Sequence, residues 1–408
     1  MEGPIACRSS RRNFLNFAMA ASAVATCSTI FSEQLLAKEH IPPYPKDAVV
    51  INANENPLGP VESARAAAIA ETAMGGRYSP WLTDDLVQTF AQMEGLQPDY
   101  IQAFPGSSEP LHYSVLAFTS PTKSYVTADP GYEAGMRACK VSGARIVKVP
   151  LAKNYSHDVK AMASASADAG LIYVCTPNNP TGTLTSHSDI EYLVEHKPTG
   201  AIVLVDEAYI HFSDGLSVLD LVKADKDIVV LRTFSKIYGM AGLRCGFAIA
   251  RPDLLQKLSA FGGWSAMPIT ALAAATASLK DPRVVPERKR INATVRASVF
   301  EWLSSNGYEF IPSQSNCFML NTRRNGQEVI AAMRRQNVYI GRIWPIMPTF
   351  VRVTIGTRSE MDLFQTAFHR VMSNTVVGSL SGSRKVLYEH YDGVRIASLE
   401  YGPLKVQH

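Results

Sequence analysis

The sequence predicts an α/β protein: a mainly parallel β-sheet between helices, followed by a smaller α+β unit. Three observations carry this. Continuous β-branched runs alternate with helical segments through the middle of the chain, as in sheets covered on both faces. Turn-rich polar strings follow directly after several of these runs, where such sheets gather their ligand loops. Near residue 272 the pattern changes to charged, amphipathic helices with a few short strands.

Each element has a local reason. Residues 123–128 form a strand-like run stopped by the turn Asp129-Pro-Gly. Residues 144–149, 171–175, 201–205 and 228–231 are further runs rich in Val, Ile and Leu, and the run 171–175 ends in a Pro/Asn/Gly loop. The alanine-rich piece 271–278 is a good helix former. Residues 286–304 are amphipathic at helical spacing, 317–320 and 351–355 are strands, and 360–373 is a closing helix. About 35 residues follow Ser373, beginning with the link Gly378-Ser-Leu-Ser-Gly-Ser383. Tyr388, Tyr391, Ile396 and Leu399 are candidates to dock this tail on the body.

Composition narrows the function. The 408 residues are 46% hydrophobic and 19% charged, enough for two cores. A net charge of +4 without a long basic run implies no nucleic-acid partner. No apolar stretch of membrane-spanning length occurs beyond the N-terminal region. The six cysteines form no C-x-x-C pair and show no metal-ligand spacing, so no metal is expected. Cys175 and Cys245 read as small buried thiols, and disulfides stay open if the protein is exported. The histidines show no pairing and read as structural or surface residues.

The N-terminus reads as an address. Ser10-Arg-Arg-Asn-Phe-Leu15 resembles a bacterial twin-arginine export signal, and an alanine-rich apolar segment follows it. Cleavage after Ala37 fits the small-residue rule, although Leu35 fits poorly. Cys27 after Val-Ala-Thr is the competing lipid-attachment reading. The expected location is the periplasm, reached through the twin-arginine machinery, with the cytoplasm as the alternative.

The chemistry concentrates in a few strings. In Arg232-Thr-Phe-Ser-Lys-Ile-Tyr-Gly-Met-Ala-Gly-Leu-Arg-Cys-Gly-Phe247, Lys236 sits among small and hydroxyl residues, the setting a reactive lysine needs. Thr233, Ser235 and Arg244 can anchor a phosphate. Phe104-Pro-Gly-Ser-Ser-Glu-Pro-Leu111 opens a helix whose N–H groups, with Ser107 and Ser108, suit an anion. Thr176-Pro-Asn-Asn-Pro-Thr-Gly182 is too restrictive for a generic turn and contains Asn179. Val205-Asp-Glu-Ala-Tyr209 ends a strand with Asp206 and Tyr209. Val351-Arg-Val-Thr-Ile-Gly-Thr-Arg358 carries Arg352, whose planar guanidinium can grip a carboxylate or phosphate. Asn52-Ala-Asn-Glu-Asn-Pro-Leu-Gly-Pro60, Arg77-Tyr78 and Asp129-Pro-Gly-Tyr132 complete the set.

In this order the strings resemble the motifs of the fold-type I pyridoxal-phosphate aminotransferases of class I/II, and within these the histidinol-phosphate aminotransferase group. The resemblance spans roughly residues 41–374. It implies a seven-stranded sheet and pyridoxal 5'-phosphate as cofactor. Lys236 is then the Schiff-base lysine and the base at the substrate Cα. Asp206 faces the pyridine nitrogen, while Asn179 and Tyr209 donate to the phenolic oxygen. Tyr132 stacks on the ring. Ser107, Ser108, Thr233, Ser235 and Arg244 hold the phosphate, joined by Tyr78 from the other subunit of a homodimer. Arg352, Arg342, Tyr44 and Asn56 bind substrate. The family more often places alanine and aspartate where Ser107 and Ser108 stand, which weakens the specific link to histidinol phosphate.

The implied organisation is a signal peptide over 1–37, an arm over 38–52, a large cofactor domain over 53–272, a small domain over 273–374 and an extension over 375–408. The implied activity is amino transfer between an amino donor (an amino acid or amino-alcohol phosphate) and a 2-oxo acid. Histidinol-phosphate transamination proper and a decarboxylase or other lyase on the same scaffold are alternatives. A cofactor-binding regulator is the non-enzymatic one.

Overall fold

A computed structural model describes residues 43–263, 266–373, 387–391 and 394–398. The segment read as an export signal, with Cys7 and Cys27, lies outside the described residues, as do the Gly/Ser link and Leu399.

The central sheet has seven strands in the order β2-β8-β7-β6-β5-β3-β4. They are β2 (Ile101–Phe104), β3 (Ser124–Asp129), β4 (Ile146–Pro150), β5 (Ala169–Cys175), β6 (Ile202–Asp206), β7 (Ile228–Thr233) and β8 (Gly246–Ile249). Strands β4, β3, β5, β6 and β7 are parallel, whereas β8 runs antiparallel to both β7 and β2. Strands β5, β6 and β7 are buried along their whole length, which explains their unbroken apolar sequence. Each fully buried Val, Leu or Ile there contributes about 1.5–3 kcal/mol.

The second core is built from β10 (Cys317–Asn321), β12 (Phe350–Thr354) and the helices Val284–Ser305 and Arg358–Ser373. Strand β12 pairs antiparallel with β10, and β10 with the short β9 (Phe310–Ile311). The N-terminal arm belongs to this core. Its strand β1 (Val49–Ile51) runs parallel to β11 (Val338–Ile340), and Val49 and Ile51 are buried there.

The two cores do not divide at residue 272. That position falls inside the helix Ile269–Lys280, which packs on the helix Glu62–Thr72 and buries Ala271, Ala274 and Ala275 in the first core. Small side chains let the two helices approach closely. The division falls within Val284–Ser305: Val284 enters the first core, and Val295, Val299 and Leu303 enter the second. In the tail, Leu387–Tyr391 and Val394–Ser398 pair as an antiparallel hairpin.

Candidate active site

Register brings the reactive strings together. Cys175, Asp206 and Leu231 are lateral neighbours across β5, β6 and β7, so the loops leaving these parallel strands emerge side by side. Asp206 is 4% exposed. Tyr173 donates its hydroxyl to Asp206 Oδ2 at 2.9 Å, and the Ala208 N–H donates to Oδ1 at 3.1 Å. Burial pushes the Asp206 carboxyl up to about 6, against the Tyr173 hydrogen bond. Lys236 lies on the neighbouring loop. Its Nζ donates to the Ala53 carbonyl at 3.4 Å and stands 5.6 Å from the Tyr209 ring centroid. Desolvation of the ammonium, then the charge of Arg352, pushes its pKa down to about 8. A lysine poised there can serve as nucleophile and base near neutral pH.

A second part of the site is suited to an anion. Strand β2 leads through Gly106 into the helix Ser108–Phe118, whose preceding Ser107 makes no side-chain cap. Gly106 has φ 90°, a conformation side chains rarely adopt, and a Cβ there would lie 2.2 Å from Arg244 Nη2 and push the guanidinium aside. Arg244 adopts φ 65° and donates to the carbonyls of Pro105 at 3.1 Å and Ala241 at 2.9 Å. Its Nη1 is also 3.4 Å from Ser235 Oγ, which accepts from Thr233 Oγ1 at 3.0 Å. Two hydroxyls, a guanidinium and a helix N-terminus converge here.

The substrate end comes from the second core. Arg352 stands opposite Met319 in the β10–β12 pair and is 8% exposed. Its Nη1 donates to Asn179 Oδ1 at 2.9 Å and its Nη2 to the Asn52 carbonyl at 2.7 Å, while Nε is buried without a partner. Among the described residues no carboxylate pairs with it. Burial lowers its pKa.

Residues 46–368 match the model of the family described as aminotransferase class I and II. The chain belongs to this family. It is 34% identical to a histidinol-phosphate aminotransferase of Symbiobacterium thermophilum over 79% of this chain and 90% of that one. It is 32% identical to an aromatic amino acid aminotransferase of Cutibacterium acnes over 78% of this chain and 90% of that one. A crystal structure of histidinol-phosphate aminotransferase from Sinorhizobium meliloti, in complex with pyridoxal-5'-phosphate, superposes with a TM-score of 0.76 at 23% identity. That match covers 86% of this chain and 99% of that one. The chain is accordingly a pyridoxal-phosphate-dependent transaminase of α/β fold.

The residues present fit the cofactor. A raised, unpaired carboxylate at Asp206 suits a protonated pyridine nitrogen, and the anion end suits a phosphate. Bound pyridoxal phosphate supplies the electron sink for the substrate's Cα. Ser107, Ser108, Thr233, Ser235 and Arg244 would hold the phosphate, and Tyr132, partly buried against the first core, lies between Asp129 and the helix Ala134–Ser142. Asn179 turns its Oδ1 to Arg352, so its Nδ2 is the group that would donate to the phenolic oxygen of the cofactor.

Other expected residues of the transaminase have more specific tasks. Asn56 clasps the lysine loop, donating to the Ile237 carbonyl at 3.0 Å and accepting the Leu58 N–H at 3.1 Å. These bonds brace the loop and use one of the two amide protons and one of the two Oδ1 lone pairs. Tyr44 accepts from Asn52 Nδ2 at 3.0 Å and meets Tyr339 edge-on. Arg342, expected as a second substrate arginine, is ion-paired with Glu133, and its guanidinium lies 4.1 Å from the Trp344 ring centroid. Tyr78 lies on the surface, 71% exposed.

Asn54 escaped the sequence reading. Its φ of 54° is one that asparagine tolerates, and its Nδ2 donates to the Tyr209 hydroxyl at 3.0 Å. Thr354 accepts the Asn54 N–H at 2.9 Å and donates to Oδ1 at 3.2 Å, tying Tyr209 to the strand that carries Arg352. Its position inside the Asn52-Ala-Asn-Glu-Asn-Pro-Leu-Gly-Pro60 string was the available signal. Which of three asparagines faces the pocket depends on backbone angles.

Proposed function

We propose that this transaminase moves an amino group between an amino acid and a 2-oxo acid, with Arg352 gripping the carboxylate that both partners share. Arg352 carries the reading. It is a buried guanidinium with an unpartnered Nε and no carboxylate partner among the described residues, close enough to Lys236 to lower its pKa. Leaving a buried cation uncompensated is costly unless a ligand supplies the anion. Arg352 orients the substrate, Lys236 takes and returns the proton at its Cα, and Asn54 steadies the Tyr209 hydroxyl.

Histidinol phosphate as donor is the second reading. It is supported by the name of the Symbiobacterium relative and by Arg342, a second guanidinium on the Trp344 ring. To test both, protein reconstituted with pyridoxal phosphate is given single amino acids or histidinol phosphate, and oxo products and carbon dioxide are quantified. A 2-oxo product is expected, with kcat/KM about 100-fold lower in Arg352→Gln. Carbon dioxide in its place makes the protein a decarboxylase.

The working unit is a homodimer in which Tyr78 meets the cofactor phosphate of the second subunit, a reading supported by its exposure. The transaminase is exported folded to the periplasm by the twin-arginine route, a reading supported by Ser10-Arg-Arg-Asn-Phe-Leu15. Arg11→Lys together with Arg12→Lys is expected to hold the protein in the cytoplasm on fractionation. Unchanged distribution would refute the export reading.

A further inference from the structure

We propose that Glu133 sets the substrate charge of this transaminase: by neutralising Arg342 it restricts the donor to amino acids whose only anion is the α-carboxylate. The inference rests on the aminotransferase reading and deepens it.

Two arginines flank one indole. The guanidinium carbons of Arg342 and Arg352 lie 4.1 Å and 5.7 Å from the Trp344 ring centroid. They also sit on paired backbone, because the Arg352 N–H donates to the Arg342 carbonyl at 3.1 Å. Arg342 is close enough to lower the pKa of Arg352. Left free, the pair would be a double cation suited to a donor with a second anion, such as a phosphate ester or a second carboxylate.

Glu133 changes that arithmetic. It forms an ion pair with Arg342 Nη1 in which both side chains are about four-fifths buried, at 20% and 17% exposure. It follows Tyr132, whose phenol also acts on the charge of Arg352. Its loop is pinned by Trp344, which packs with Ile311 and Met319 and whose Nε1 donates to the Gly131 carbonyl at 3.0 Å. The carboxylate is therefore held against Arg342 by a fixed loop. A second substrate anion entering here would displace Glu133 and meet its charge. Arg352, with no such partner among the described residues, remains the single anion clamp.

The test uses the holoenzyme and follows the donor half-reaction through cofactor absorbance, so the acceptor plays no part. Donors are neutral amino acids, glutamate and histidinol phosphate. Inorganic phosphate binding is measured separately by calorimetry. Wild type is expected to favour a neutral amino acid. Glu133→Gln should shift the preference at least tenfold towards histidinol phosphate or glutamate and tighten phosphate binding at least tenfold. Adding Arg342→Gln to Glu133→Gln should cancel both gains. That double variant also controls for misfolding, since it removes the pair without leaving a lone charge. A wild type that already favours histidinol phosphate, or an unchanged ratio and unchanged phosphate binding in Glu133→Gln, overturns the role of Glu133. Conversion of no donor by any variant, with phosphate binding tightened as expected, would instead refute the aminotransferase reading and leave the charge assignment standing.

Discussion

Arg232 and Arg352 are both buried arginines, at 5% and 8% exposure, yet their surroundings are opposite. Arg232 Nε donates to Glu207 Oε2 at 2.7 Å, Nη1 to His211 Nε2 at 2.9 Å and Nη2 to Ser217 Oγ at 2.9 Å. Glu207 also accepts from Ser217 Oγ and the Val218 N–H. Burial, then the charge of Arg232, pushes His211 down to about 3, which keeps it a neutral acceptor. Arg352 has no carboxylate among the described residues and a bare Nε. Asp206 and Glu207 repeat the contrast on adjacent residues: Glu207 is paired to Arg232, and Asp206 forms no ion pair among the described residues. The compensated charges hold the scaffold beneath the sheet end. The uncompensated ones are left for ligands.

The largest test removes the scaffold charge. Glu207→Gln leaves Arg232 buried and unpaired, and should lower the unfolding free energy by about 3–5 kcal/mol. Urea unfolding of the cofactor-free protein measures it. Arg352→Gln should lower stability far less, because it removes a cation that has no counter-charge. Equal losses in the two variants would break the comparison.

A smaller effect of opposite sign is expected at Asp206. Its folded pKa, about 6, lies above the unfolded value of 3.8. Between these values the folded chain keeps a proton that the unfolded chain has lost, so stability falls as pH rises through the window. Above pH 6 the full cost applies, about 3 kcal/mol. Asp206→Asn should therefore stabilise the cofactor-free protein at pH 7 by up to that amount and abolish turnover. The stability gain should vanish below the unfolded pKa. A destabilised variant at pH 7 would place Asp206 with the scaffold.

The strings that bear chemistry were legible because their residue types are restrictive and each follows an apolar run. Lys236, Asp206, Tyr209, Asn179 and Arg244 lie in such strings, and register sets the ends of β5, β6 and β7 side by side, at the carboxyl end of the sheet. Strand β8 was harder to see: it is four residues long and adjoins the glycine of the lysine string. The core boundary was missed because the helix Ile269–Lys280 is alanine-rich, and alanine packs equally well in either core.

By itself the sequence determined the parallel sheet and the order of the motifs, because apolar periodicity and restrictive loop residues are local properties, and the family resemblance of those motifs implied the cofactor. Only the tertiary structure decided which charges are paired. Glu133 and Arg342 lie 209 positions apart, and Asn54 and Thr354 lie 300 apart. Spacing along the chain carries no information about such partners. Whether a buried charge serves the scaffold or the substrate depends on the residues that folding brings beside it.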